Sequence, residues 1–182
     1  MPALKHLVLV GLPGVGKSTV GRELATRLGR RFVDLDAYIE RSFDKSISRI
    51  FAEDGEKAFR DAEAEATRVI GEQPGAVIAP GGGWIQNGAA TAHLHDNSRI
   101  IYLRVSADAA VRRMGRGISR RPLFRDTEDA GRTMKRLFEE RSPLYEAMAW
   151  LTVDTTGSGR SQVISRVVED VLAAERNLEG RV

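Results

Sequence analysis

Gly11-Leu-Pro-Gly14-Val15-Gly16-Lys17-Ser18-Thr19 lies between an apolar run, His6 to Val10, and a stretch from Val20 to Leu28 with helical patterning. A strand that feeds a glycine-rich turn opening a helix confines the chain to a few α/β architectures. The turn must bring backbone N–H groups to the helix N-terminus at the carboxyl edge of a sheet. In that setting Gly11, Gly14 and Gly16 let the backbone curl around a polyphosphate, and the segment Gly14, Val15, Gly16, Lys17, Ser18, Thr19 forms the cradle. Lys17 brings positive charge to the outer phosphates, and the Ser18 hydroxyl is a ligand for Mg²⁺. The run therefore predicts binding of ATP or GTP; an ordinary glycine-rich turn is the weaker alternative.

A chain of 182 residues, 42% of them hydrophobic, suits one domain over 1–182 with a sizeable core and leaves no room for a separate substrate domain of ordinary size. An acceptor site must then be built from insertions. The absence of cysteine excludes disulfide staples and thiolate metal sites. No apolar run approaches a membrane span and the first residues lack the apolar core of a signal peptide, so a cytoplasmic enzyme is expected. The formal charge of +3 is small and carried mainly by scattered arginines, which points to anionic small molecules rather than nucleic acid or a membrane. Small size and the lack of an obvious interface helix favour a monomer.

Strand-like runs at 6–11, 31–35, 76–79, 99–105 and 150–153 alternate with helical segments, predicting a five-stranded parallel sheet covered on both faces, a three-layer α/β sandwich. Two regions depart from the alternation. Residues 36–72 hold consecutive helical segments and read as a substrate-binding insertion, whereas 114–126 are rich in Arg and Gly without periodicity and read as a mobile lid. The polar tail from Glu175 is expected to fray.

A phosphate loop needs a carboxylate near the metal and the acceptor. The run Ala76–Pro80 ends in Gly81-Gly82-Gly83 and the run 99–105 offers no acid, which leaves Asp34, Asp36 and Asp154. In an extended segment Asp34 and Asp36 point to one side, roughly 7 Å apart, so that one serves a hydrated Mg²⁺ and the other the acceptor hydroxyl. The alternative is a strand end followed by a helix cap. Arg60 lies at the edge of an apolar helical face marked by Phe59, Ala62, Ala66, Val69 and Ile70, and Glu63, three residues on, can orient its guanidinium as a fork for a carboxylate. The bland reading is a surface ion pair.

Taken in order, the phosphate loop, Val33-Asp34-Leu35-Asp36, the segment from Ile50 through Phe59-Arg60 to Glu63, the triple glycine, Arg120-Arg121-Pro122-Leu123 and Glu140-Arg141-Ser-Pro143-Leu-Tyr145 resemble the shikimate kinases over nearly the whole chain. The resemblance implies a nucleoside-monophosphate-kinase-like fold and transfer of the γ-phosphoryl group of ATP to the 3-hydroxyl of shikimate. It assigns Ser18 and Asp34 to Mg²⁺, and Asp36 to the attacking hydroxyl as clamp and general base. Arg60 and Arg141, the latter at an expected helix end before Pro143, would hold the substrate carboxylate. Gly81, Gly82 and Gly83 would offer backbone N–H groups to the substrate. Arg121 becomes the lid residue that completes the charge around the phosphates, Arg113 or Arg112 stacks on adenine, and Ser158 belongs to the adenine loop.

Pro80 and Trp84 depart from the family pattern, and Trp84 either walls the pocket or packs in the core. Arg116, Arg120 and Arg125 complete a basic lid around Gly115 and Gly117, for which a solvated loop is the alternative. His93 and His95, two apart on an expected helix, face different ways and make no metal pair. Two competing functions remain. A gluconate kinase would share the phosphate loop and lid, and Arg60, Gly82 and Arg141 together, joining carboxylate to hydroxyl recognition, are the residues expected to discriminate. A nucleic-acid-associated nucleotide-binding module would bind with a steep salt dependence.

Overall fold

The computed structural model of the chain describes residues 5–94, 96–115, 124 and 129–179. One parallel sheet contains β1 (His6–Val10), β2 (Arg31–Asp34), β3 (Ala76–Ala79), β4 (Ser98–Arg104) and β5 (Leu151–Asp154), in the spatial order β2-β3-β1-β4-β5. Every expected strand is present, with ends moved by one residue: Gly11 leaves β1 for the loop, and Leu35 opens a helix instead of closing β2.

Successive β1 side chains point to opposite faces, and both faces are buried. Leu7 and Leu9 pack with Leu24 of α1 (Lys17–Leu28), Ala110 of α6 (Ala107–Met114) and Val167 of α8 (Arg160–Glu179). Val8 and Val10 pack with Ile39 of α2 (Leu35–Phe43) and with Phe59 and Ile70 of α4 (Gly55–Gly71). Each such side chain contributes about 1.5–3 kcal/mol when fully buried, so the carboxyl edge of β1 is held from both layers. α7 (Ala130–Met148) serves both clusters, giving Met134 and Leu137 to the first and Tyr145 to the second.

The insertion is helical, as expected. α2 is followed by α3 (Ile47–Arg49), a π-helical turn (Ile50–Asp54) and α4, with α5 (Gly88–Ala92) further on. Three local expectations need correction. Pro143 lies inside α7, so Arg141 stands two turns short of the helix end. α5 stops at Ala92 with His93 as its C-cap, so His93 is not within a helix, and His95 lies outside the described residues. α8 continues through Glu175 to Glu179.

The expected lid at 114–126, including Arg116, Arg120, Arg121 and Arg125, falls outside the described residues except for Met114, Gly115 and Phe124. Because β3 and β4 flank β1 on opposite sides, the loops after β1, β2 and β3 open into a crevice at the sheet's carboxyl edge.

Candidate active site

The loop after β1 ends in Gly16, which caps α1 in a left-handed conformation at φ 99°. A side chain there would be strained, whereas glycine pays no such penalty. Lys17 Nζ lies over the loop and donates to the carbonyls of Gly11 at 2.9 Å and Leu12 at 3.2 Å. One residue on, the Ser18 hydroxyl donates to Asp34 Oδ2 at 2.8 Å. A hydroxyl and a carboxylate side by side are hard oxygen donors suited to Mg²⁺, which takes one or two protein ligands and completes its shell with phosphates and water. No larger acid or histidine cluster able to hold a metal occurs among the described residues.

Asp34 and Asp36 do not share an extended segment. Asp34 closes β2 and caps α2, its Oδ1 accepting the Ala37 N–H at 3.2 Å, while Asp36 sits in the first helical turn. The alternative of a strand end running into a cap is therefore the correct local geometry. Asp uses one carboxylate oxygen for the cap and keeps the other for Ser18, so capping and metal chemistry coexist on one side chain.

Asp36 Oδ1 is buried without a hydrogen-bond partner. Burial, with the charge of Asp34 beside it, raises the Asp36 carboxyl to about 6, while Lys17 pulls the other way.

Opposite Asp36 stands the triple glycine. A Cβ at Gly81 would lie 2.9 Å from Asp36 Oδ1, at Gly82 3.3 Å from Arg141 Nη1, and at Gly83 2.9 Å from Arg60 Nη2. None of the three needs a positive φ. A side chain at any of the three would displace the end of a charged side chain that lies against this backbone.

Arg60 donates from Nη1 to Glu63 Oε2 at 3.0 Å and its guanidinium lies 5.3 Å from the centre of the Phe59 ring. The expected pairing with Glu63 holds, and burial makes it more than a surface ion pair, since Glu63 is only 1% exposed. Asn87 secures this pair: its Nδ2 donates to Glu63 Oε2 and to the Arg60 carbonyl, both at 2.9 Å, while its Oδ1 caps α5. Arg141 is 5% exposed, and its Nε and Nη1 have no partner.

Trp84 belongs to the core. It is 1% exposed and donates from Nε1 to Thr67 Oγ1 at 3.1 Å, and its own N–H closes the glycine turn on the Gly81 carbonyl. A cavity of about 590 Å³ runs from Gly16, Lys17 and Ser18 past Asp34 and Asp36 to Gly82. A second, of about 370 Å³, joins Gly14, Gly16 and Thr19 to Arg113, Ser158 and Val163. Arg113 donates to the Thr155 carbonyl and, at 3.0 Å, to Thr155 Oγ1, so of Arg112 and Arg113 it is Arg113 that stands in the cavity beside the phosphate loop. Arg112 lines only a shallow hollow with Gly157.

Three features escape sequence reasoning. The roles of Asn87 and Tyr145 depend on contacts across 24 and 63 residues, and the burial of Glu63 depends on tertiary packing. An Asn before Gly-Ala-Ala does signal a helix cap, which is a partial pointer to Asn87.

A phosphate cradle facing a pocket of carboxylate and guanidinium groups at the carboxyl edge of a parallel sheet defines a P-loop phosphotransferase for small molecules. A family model described as shikimate kinase matches residues 13–172. A shikimate kinase of Thermobifida fusca is 42% identical over 168 residues, covering 92% of this chain and 95% of that protein.

The chain belongs to the shikimate kinase family, and is an ATP-using transferase. The solved shikimate kinase from Acinetobacter baumannii, in complex with shikimate, superposes with a TM-score of 0.86 at 32% identity, covering 93% of this chain and 94% of that one. A gluconokinase from Sinorhizobium meliloti superposes with a TM-score of 0.61 at 16% identity, covering 98% and 95%, which is a likeness of fold alone.

Proposed function

We propose that the protein transfers the γ-phosphoryl group of ATP to the 3-hydroxyl of shikimate, forming shikimate 3-phosphate on the route to chorismate and the aromatic amino acids. The observation that carries this assignment is the set of buried polar atoms without protein partners: Asp36 Oδ1, Glu63 Oε1, and Nε and Nη1 of Arg141. Each such group costs about 1–3 kcal/mol, which a ligand bearing both a carboxylate and hydroxyls would recover. Gluconate also has these groups, but it is supported only by a shared fold.

In this reading the phosphate loop and Lys17 hold the β- and γ-phosphates, with Val15 and Thr19 completing the cradle. Arg113 and Ser158 border the adenine. Arg141 and Arg60 grip the substrate carboxylate, the second as a fork aimed by Glu63. Gly81, Gly82 and Gly83 supply backbone to the substrate, and Asp36 accepts the proton of the attacking hydroxyl. Ser18 would hold Mg²⁺ directly and Asp34 through water; the ion supplies neutralisation of the phosphate charge. Arg121 is assigned by resemblance to the lid.

We place the enzyme in the cytoplasm as a monomer that uses Mg²⁺, ATP and shikimate and engages neither nucleic acid nor membrane. The deciding experiment is a coupled ADP-release assay with shikimate, gluconate or no acceptor. Turnover is expected with shikimate alone, and turnover with gluconate alone would overturn the assignment.

A further inference from the structure

We propose that Tyr145 is a positioning residue that holds the acceptor loop Gly81–Gly83 at a set distance from the phosphate cradle and turns the Gly83 N–H towards the acceptor. Its hydroxyl donates to the Gly82 carbonyl at 2.6 Å and lies 3.3 Å from the Gly11 carbonyl, so one buried group touches the loop that holds the donor and the loop that meets the acceptor. Tyr145 is 1% exposed. Its ring lies 5.1 Å from that of Tyr102, whose own hydroxyl pairs with Ser142 on α7 at 3.1 Å. The Tyr102 ring thus backs the strut, and burial pushes the Tyr145 phenol well above its ordinary range, which keeps it a donor.

The two carbonyls depend on this hydroxyl to different degrees. Gly11 also accepts from Lys17 Nζ at 2.9 Å, whereas the Gly82 carbonyl receives the shorter bond from Tyr145. No peptide in the described chain is cis, and in a trans peptide C=O and N–H point in opposite directions. Anchoring the Gly82 carbonyl on Tyr145 therefore turns the Gly83 N–H away from the core. Neither the Gly82 nor the Gly83 N–H has a protein acceptor among the described residues. Arg141, one helical turn before Tyr145, stands beside Gly82, so a single face of α7 supplies both a carboxylate grip and the anchor of the neighbouring peptide.

This inference rests on the assignment of shikimate as acceptor, so wild-type turnover on shikimate is measured first; its absence would sink that assignment rather than the role of Tyr145. The test is steady-state kinetics of Y145F, which keeps the ring and removes the hydroxyl, with its bonds to the two loop carbonyls and its contact with the Arg141 side chain. The expected result is a fall in kcat and a rise in KM for shikimate of about tenfold each, with KM for ATP within about twofold, as expected when one buried carbonyl loses its partner. Y102F, which removes a buried hydroxyl of the same stacked pair without touching either loop, is expected to lower the melting temperature similarly and to retain kcat. Para-aminophenylalanine at position 145, which restores a donor at that position, is expected to recover most of the lost kcat; it also carries the test should Y145F fail to fold. Wild-type kinetics in Y145F, equal loss of kcat in Y102F, or no recovery with the amino donor would each overturn the role.

Discussion

The donor and acceptor halves of the site face each other across one cavity and are built on opposite principles. On the donor side the polar side chains are satisfied by the protein: Lys17 rests on the Gly11 and Leu12 carbonyls, and Ser18 on Asp34. On the acceptor side Asp36, Glu63 and Arg141 keep buried atoms without partners. A phosphate cradle can be self-consistent because its N–H groups radiate from one turn and a helix N-terminus. A pocket for a small polyhydroxy acid must present unmatched donors and acceptors in a fixed array, and that array costs folding energy until the ligand fills it.

Asp36 gives this contrast its largest test. Asp36→Asn is expected to reduce kcat by at least about 10²-fold while leaving ATP affinity within a few-fold. It should also stabilise the ligand-free protein. Raising a carboxyl from 3.8 to about 6 corresponds to roughly 3 kcal/mol of folding energy lost when it ionises. A gain of about 6–12 °C in melting temperature is expected at pH 7.5 for a chain of this length. An inactive variant that melts lower than wild type would remove the claim that the acceptor side is strained.

The two arginines should separate next. Arg141 is buried and lacks partners at two nitrogens, whereas Arg60 has Glu63 and Glu56 and is partly exposed. Arg141→Lys, which loses the planar fork, is expected to raise KM for shikimate by about 30-fold or more, and Arg60→Lys by about tenfold. KM for ATP should stay near wild type in both; a matching rise for ATP would mean that these residues shape the donor side as well. A smaller effect follows from pH. Asp36 must be ionised to accept the proton, so kcat/KM for shikimate is expected to decline as pH falls through about 6, approaching tenfold per pH unit.

The same contrast explains what could be read from the chain beforehand. The donor side is local: Gly14 to Thr19 are consecutive, and strand, turn and helix signals reinforce one another. The sheet was legible for a similar reason, since each strand is a short apolar run between helical stretches. Elimination among the acids reaches Asp34 and Asp36, but their geometry is not legible, because Leu35 reads equally well as the end of a strand or the start of a helix. Pro143 disfavours a helix interior and so predicts a helix end beside Arg141, yet α7 runs on to Met148. The acceptor pocket needs Asp36, Arg60, Gly82 and Arg141 from four separate elements to meet. No periodicity encodes such a meeting, and here only family resemblance pointed to it. Tyr145 and Asn87 lie one layer further from direct reading, because they act on other residues of the site.

His6, at the opposite end of β1, shows what a satisfied buried polar group does in the same core, and it yields the smallest expected effect. It is fully buried; Nδ1 accepts the Ala76 N–H at 3.2 Å, and Nε2 faces the Gly71 carbonyl at 3.4 Å as the donor of the neutral ring. Protonation would convert Nδ1 from acceptor to donor against an N–H, and burial, with the charges of Arg31 and Arg30, holds the ring's pKa below its usual 6.5. The unfolded chain therefore takes up the proton first, and this residue's contribution to stability is lost as pH falls below 6.5 and through the lower folded value. Asp36 acts in the opposite sense, because its folded pKa is raised, so its cost shrinks as pH falls below about 6 and is gone near 3.8. The two effects thus oppose each other in the wild type between pH 7 and pH 5, and the melting temperature of Asp36→Asn is expected to fall more steeply over that interval than that of the wild type. Adding His6→Asn to Asp36→Asn should flatten the profile again; a decline that persists in the double variant would place the pH sensitivity elsewhere than β1.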